Sequence, residues 1–379
     1  MDRRVSVLAV SVALAGGIIA FMLLRVWGDL LVAIQNWNPL YLLPAVAFAT
    51  AGWWLRGARY RSILGSLGIR AGLVFSTACV LISQTANLVI PARLGDLVRI
   101  FILKHENLSG YATGISSIVI ERFFDILTVA LLGLVALPFI PGVPSWAYQV
   151  IVIPLGLCGV FVLVLLSLGR VRSHRREILA ILLGAAAVGF LALFALYGTP
   201  PWVIELLTSF AATLAIATVF IFILSRIPAV CRILARINTL IVRMLEEMKR
   251  SSLSLGSGLG LSGLSVVIWL TDIGTTLSVA AMFGARVSVA VVLLAVVIGN
   301  LFKAVPITPG GIGTYEAAVA VILVLSGTGQ ATATLIAVSD HLVKNIITAV
   351  GGVLSIRLLG VWVVDAIRDA FRGKGEART

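Results

Sequence analysis

The chain has 379 residues, 60% of them hydrophobic and 12% charged, with a mean hydropathy of +1.10 and a formal net charge of +13. Soluble domains are roughly 45–50% apolar and about 25% charged, so the composition excludes a water-soluble globular fold and predicts an all-α, polytopic membrane protein. Nucleic-acid binding is excluded as the source of the positive charge, because no basic, aromatic-interleaved soluble module interrupts the apolar runs.

The N-terminus, MDRRVSVLAVSVALAGGIIAFMLLR, is basic and then apolar from Val5 to Leu24. A signal peptide carries a shorter apolar core of about 7–15 residues, whereas about 20 apolar residues cross a bilayer. Segment 5–24 is therefore predicted to be an uncleaved first span. Further spans are predicted at 39–55, 112–137, 149–168, 178–197, 203–224, 258–281 and 331–356, which makes eight. The basic loop 55–70, LRGARYRSILGSLGIR, and segment 226–250 are predicted to lie as amphipathic stretches on the cytoplasmic surface.

Two apolar regions, 71–105 and 287–327, are each broken near the middle by proline and glycine. Twenty-one of the 29 Lys and Arg residues fall in the head, the tail and alternate loops, while the intervening loops hold only Arg25 and Arg286. This bias puts both termini in the cytoplasm of a cell-membrane protein. With eight full spans and cytoplasmic ends, neither broken region can cross, so each is predicted to be a re-entrant helical hairpin. Irregular backbone is tolerated at membrane depth only where protein buries it or a cavity meets it.

The broken regions read NLVIPARLGD, 87–96, and NLFKAVPITPGGIGTYE, 300–316. Each restarts on a carboxylate, Asp96 or Glu316, and each is followed by a charged helix, ERFFD from Glu121 or DHLVK from Asp340. The carboxylate-to-helix intervals are 25 and 24 residues, and ionisable residues stand at offsets 0, +1 and +4 in both helices. This predicts an inverted repeat, about 39–137 and 258–356, joined by helices 149–224 in a single membrane domain 1–379, with the site where the repeats meet.

NLVIPARLGDLVR, ERFFDILTVALLG and PITPGGIGTYE together resemble the transmembrane family of the lysylphosphatidylglycerol synthase/flippases, over about residues 5–358. The resemblance implies lipid translocation. Larger family members add a soluble aminoacyl-transfer domain. This chain ends about twenty residues after its last predicted helix, so that activity is not expected. Asp96 stands where glutamate is commoner in the family, and DHLVK stands where an arginine-bearing helix is expected.

The residues themselves suggest anion chemistry. Arg93, Arg99 and Arg122 suit a phosphate through the guanidinium fork. A half-helix beginning near Gly310, Gly311, Gly313 and Thr314 offers free backbone N–H groups. The bland alternatives are ion pairs that hold the hairpins together and glycines that only make the turn. Asp96, Glu121, Asp125, Asp272, Lys303, Glu316, Asp340, His341 and Lys344 are assigned to charge pairing or gating, since unpaired charge at the bilayer centre costs about 2.5–3.5 kcal/mol. Expected pairs are Arg122–Asp125, Arg93 or Arg99 with Glu121 or Glu316, and Asp272 with Lys303 or Lys344. Asn87 and Asn300 are expected to satisfy broken backbone groups.

Cys79, Cys158 and Cys231 form no CxxC pair and the three histidines no zinc spacing, so no metal or other cofactor is expected. The favoured reading is a non-enzymatic transporter or flippase for an anionic lipid, a phospholipid or a polyprenyl-phosphate-linked lipid, moved through a basic central cavity. The alternatives are a membrane-embedded enzyme acting on lipid headgroups, or an accessory subunit of a glycosyltransferase or synthase. Membrane lipids are the expected partners, and a homo-oligomer is compatible with either reading.

Overall fold

The computed structural model describes residues 3–35, 37–90, 94–140, 144, 146–151, 154, 255–304, 308–360 and 362–364. These residues are helical, with no strand among them. Helices α1 (Arg3–Arg25) and α2 (Trp27–Ile34) lead through a 3-10 turn, Pro39–Tyr41, into α3 (Leu42–Ser66). Then come α4 (Leu73–Val89), α5 (Asp96–His105) and α6 (Tyr111–Ala136). After residue 254 the chain forms α7 (Leu255–Met282), α8 (Val289–Ala304), a 3-10 turn at Pro309–Gly311, α9 (Thr314–Leu325) and α10 (Gln330–Leu359). The chain divides into two compact units, Met1–Ile151 with Glu246–Thr379, and Val152–Leu245. Both broken regions belong to the first unit, which is the one described below.

Among the described residues, two helices are long and apolar enough to cross a membrane, Gly256–Met282 and Gln330–Leu359, and α1 with α2 would make a third if the pair, bent by 70°, is one span. Helices α3 and α6 have 25 and 26 residues, and at about 1.5 Å per residue either could span a hydrocarbon core of about 30 Å. Each, however, carries three charged residues: Arg56, Arg59 and Arg61, or Glu121, Arg122 and Asp125. The predicted spans 178–197 and 203–224, and nearly all of 149–168, lie outside the described residues.

The predicted surface loop 55–70 is instead the second half of α3, which continues to Ser66. No proline interrupts it, and Tyr60, Ile63 and Leu64 are fully buried. Tyr60 and Leu64 belong to a core with Cys79, Ile82, Val98, Ile102 and Leu103, drawn from α4 and α5. That buried face drives the helix through the basic stretch, which the loop reading assigned to water.

The two broken regions fold alike. Each is a helix of 16 or 17 residues (α4, α8), an irregular break, and a short helix of 10 or 12 residues (α5, α9). None is as long as the about 20 residues that a span needs. Ile90 turns extended (φ −98, ψ 120) ahead of Pro91, and Thr308 (φ −124, ψ 150) ahead of Pro309, as the proline ring demands of the residue before it. In each half the short helices pack on each other, α4 on α5 and α8 on α9. Each hairpin also rests on the last helix of the other half, α4 on α10 and α8 on α6, while α3 packs on α7. The two broken regions thus have matching packing partners.

Small residues let the helices approach. A Cβ on Gly57 would sit 1.9 Å from the Thr77 hydroxyl, and one on Gly352 would sit 1.9 Å from that of Thr85. Close small-residue contacts are the usual device for helix packing in lipid, where no hydrophobic force joins helices. The outward row Leu342, Ile346, Val350 and Val353 on α10 is exposed, as a lipid-facing stripe would be.

Candidate functional site

The charged residues of both halves converge. The first cluster is anchored on α3, whose register carries Arg59 into the protein at 1% exposure. Arg59 Nη1 lies 2.7 Å from Asp125 Oδ1 and 3.0 Å from Ser265 Oγ, and its Nη2 lies 3.4 Å from Glu121 Oε1. Arg99, on α5, is fully buried; it pairs with Glu121, donates from Nε to Ser83 Oγ at 3.1 Å, and lies 3.3 Å from Asp96 Oδ1. Its guanidinium also sits 5.0 Å over the Tyr60 ring. Asp96 opens α5 and accepts from Ser83, Gln84 and Asn87 at 3.1, 3.1 and 2.9 Å. Arg122 reaches back from α6 to Asp96 Oδ2 at 2.8 Å and to Asp125 Oδ2 at 3.4 Å.

The second cluster has different chemistry on the same plan. Glu316, at the start of α9, accepts the Gly313 N–H at 2.7 Å through Oε2 and lies 2.7 Å from His341 Nδ1 through Oε1. His341 Nε2 is 3.2 Å from Lys303 Nζ. Asp340 accepts from Thr276 at 2.8 Å, Tyr315 at 2.7 Å and Lys344 at 2.9 Å. The halves are stitched together by Arg56 and Asp272, 2.8 Å apart.

One cavity of about 360 Å³ joins the clusters. Its wall includes five cations, Arg56, Arg59, Arg122, Lys303 and Lys344, against three carboxylates, Glu121, Asp125 and Asp272. Asp96, Glu316 and Asp340 lie off the wall, so half of the six carboxylates are set back while five of the six cations face the cavity. His341, Tyr315, Thr348, the amides of Gln84, Asn87, Asn300 and Asn345, and the indoles of Trp53 and Trp269 complete the polar lining. Three N–H donors on wall residues, Arg59 Nε, Arg122 Nε and Trp269 Nε1, have no hydrogen-bond partner among the described residues. No group of three or more His, Cys, Asp or Glu among those residues could hold a metal.

The placement of the predicted residues is uneven. Arg122, Gly310, Lys303, His341 and Lys344 line the cavity. Arg93 lies outside the described residues. Arg99 is behind the wall, with its donors spent on Glu121, Asp96 and Ser83. Gly311, Gly313 and Thr314 are also off the wall. A Cβ on Gly311 would meet the Lys303 side chain at 2.5 Å, Gly313 has φ +88, and the Thr314 hydroxyl donates to Gly311 O at 3.0 Å. The first glycine makes room, the second supplies a left-handed turn closed to side chains, and the threonine closes the turn.

Arg122–Asp125 and Arg99–Glu121 pair as expected. Asp272 takes Arg56 rather than a lysine, because α3 extends far enough to bring an arginine alongside it. Asn300 donates to its own helix at Val296 O, whereas Asn87 holds the Asp96 carboxylate rather than a backbone group. The sequence reading missed Arg56 and Arg59, which it counted as loop charges, and Tyr315 and Thr276. Their period-3.6 placement beside Tyr60 and Ile63 was the available signal for the arginines.

The family described as "Lysylphosphatidylglycerol synthase TM region" matches residues 8–183 and 178–352. "Glycosyltransferase AglD" of Haloferax volcanii is 31% identical over 378 residues, which is 98% of this chain and 57% of that protein. The chain thus spans less than two thirds of that relative's length. No solved structure matches.

Proposed function

This chain belongs to the lysylphosphatidylglycerol synthase transmembrane family, and from that premise we propose that it is a transporter or flippase that moves an anionic lipid between leaflets. The observation that carries this reading is the cavity wall, with five cations from both halves turned inward and half of the balancing carboxylates set behind them. Arg56, Arg59 and Arg122 offer fork-shaped donors and Lys303 and Lys344 mobile ones, the combination that recognises phosphate. The lipid's chains would stay in the bilayer while the headgroup crosses in the cavity. The broken regions act as re-entrant gates in opposite leaflets of the cell membrane, with both termini cytoplasmic. Because each hairpin packs on the other half's last helix, closing one side loosens the other, which is alternating access.

A second reading follows from the relative named a glycosyltransferase: this chain would act on, or assist an enzyme acting on, lipid-linked sugars. Four amides and two indoles beside the cations give the cavity groups that a hydroxyl-rich headgroup could use. One preparation separates the two. Purified protein in phosphatidylcholine vesicles containing fluorescent phosphatidylglycerol should accelerate leaflet exchange, and Arg122→Ala or Lys303→Ala should slow it at least about tenfold. Full activity in both variants would refute the site. Sugar-bearing lipid formed from a nucleotide sugar and a polyprenyl phosphate, without leaflet exchange, would replace the transport reading by the second.

A further inference from the structure

The two halves make the same contact with different side chains. In the first, the residue after Glu121, Arg122, reaches the carboxylate that restarts the hairpin, Asp96, at 2.8 Å. In the second, the residue after Asp340, His341, reaches the corresponding carboxylate, Glu316, at 2.7 Å. One contact is charged at every pH, because a guanidinium does not deprotonate. The other can exist with or without a proton.

The partners fix which form is present. Lys303 is an ammonium and can only donate, so at 3.2 Å it donates to His341 Nε2. His341 Nδ1–H then donates to Glu316, and the imidazole is neutral. Around it stand Glu316 and Tyr315 on α9, Lys303 on α8, and Asp340 and Lys344 on α10 itself. Further round are Asp272 on α7 and Arg56 and Arg59 on α3. Helix α4 brings amides and the buried Cys79, and α1 and α2, which also touch α10, carry Arg25 and Asp29.

With His341 neutral, the six cations and six carboxylates of the joined clusters cancel. A monoanionic headgroup entering this site therefore leaves one negative charge uncompensated inside the protein, an arrangement that buried sites avoid. Lys303 and His341 both line the cavity, so an anionic oxygen there can draw the Lys303 ammonium away from Nε2. The freed lone pair of Nε2 then binds a proton from cavity water. The imidazolium formed is held by Glu316, and the net charge returns to zero. On release of the headgroup Lys303 returns, and the proton leaves to water on the same side.

We propose that His341 is a proton-coupling site, carrying one proton across with each monoanionic headgroup. This rests on the transport reading above and adds its energy source. The Arg122 half binds the anion without titrating, and the His341 half makes the transfer electroneutral.

The test uses vesicles of phosphatidylcholine with fluorescent phosphatidylglycerol, purified protein and an imposed gradient of one pH unit. One proton per lipid should hold the labelled lipid at about a tenfold leaflet ratio, drawn toward the alkaline side, and should be indifferent to membrane potential. A ratio of one despite rapid exchange would overturn the coupling and leave the transport reading standing. No exchange at all would overturn both. A second measurement avoids dependence on a transport-competent variant: calorimetric titration of detergent-solubilised protein with dioctanoyl phosphatidylglycerol, in buffers of different ionisation enthalpy. About one proton should be taken up per lipid bound by the natural protein and none by His341→Gln or His341→Arg. Equal uptake in the natural protein and His341→Gln would exclude His341 as the carrier.

Discussion

Replacing Arg59 by methionine tests whether the cluster is a closed, buried charge network. The side chain is 1% exposed and touches Asp125 at 2.7 Å, Ser265 at 3.0 Å and Glu121 at 3.4 Å. Methionine keeps much of the aliphatic stem and removes the charge. Breaking a buried ion pair from one side costs about 3–5 kcal/mol. Two features reduce that here. Glu121 keeps Arg99, and Asp125 keeps Arg122 at 3.4 Å, so neither acid is left alone. In addition, polar groups of a membrane protein find other partners when it unfolds in lipid, so interhelical hydrogen bonds average only about 0.6 kcal/mol. We expect a loss of about 2 kcal/mol, roughly a thirtyfold fall in the folding equilibrium constant.

The assay is unfolding in mixed micelles, followed by the fluorescence of the tryptophans, eight in the chain. Because the penalty comes from leftover negative charge, Arg59→Met with Asp125→Asn should be more stable than Arg59→Met alone. A loss below about 0.5 kcal/mol, the range of a surface pair, would refute the network. So would a double variant less stable than the single one, because then the two side chains would be acting independently.

Arg122→Lys should slow lipid exchange about tenfold while leaving the protein folded, because one ammonium cannot replace a fork that reaches Asp96 and Asp125 together; vesicle exchange rates check this. Gly352→Val should lose at least about 1–3 kcal/mol by overpacking, since its Cβ meets Thr85 at 1.9 Å, and Thr85→Gly should restore part of the loss in the same unfolding assay. Gly313→Ala should cost about 1–3 kcal/mol for its backbone alone, because φ is +88 and the new Cβ lies 2.9 Å from Ile18. Gly258→Ala, a position with open space around it, is the matched control and should be neutral or slightly stabilising.

The amino-acid sequence by itself settled what depends on local pattern. Hydropathy set the all-helical class. Proline and glycine set both breaks, between α4 and α5 and between α8 and α9, because a missing N–H and a left-handed φ are properties of single residues. The i, i+3 pair Arg122–Asp125 followed from helix geometry, whereas Lys344, expected as a partner of Asp272, pairs with Asp340 one turn back on its own helix. What only the tertiary structure decided are contacts between residues far apart in the chain: Arg59 with Glu121, Arg56 with Asp272, His341 with Lys303. Arginine has the same hydropathy in a surface loop as in a buried pair. Its location turned on whether α3 continued past residue 55, and that was decided by the burial of Tyr60, Ile63 and Leu64 against helices the local sequence cannot see. The same holds for the division of labour between Arg99 and Arg122. One lies on the short helix α5 of the first hairpin and the other on α6 that follows it, and only packing turns Arg122 toward the cavity and locks Arg99 behind its wall.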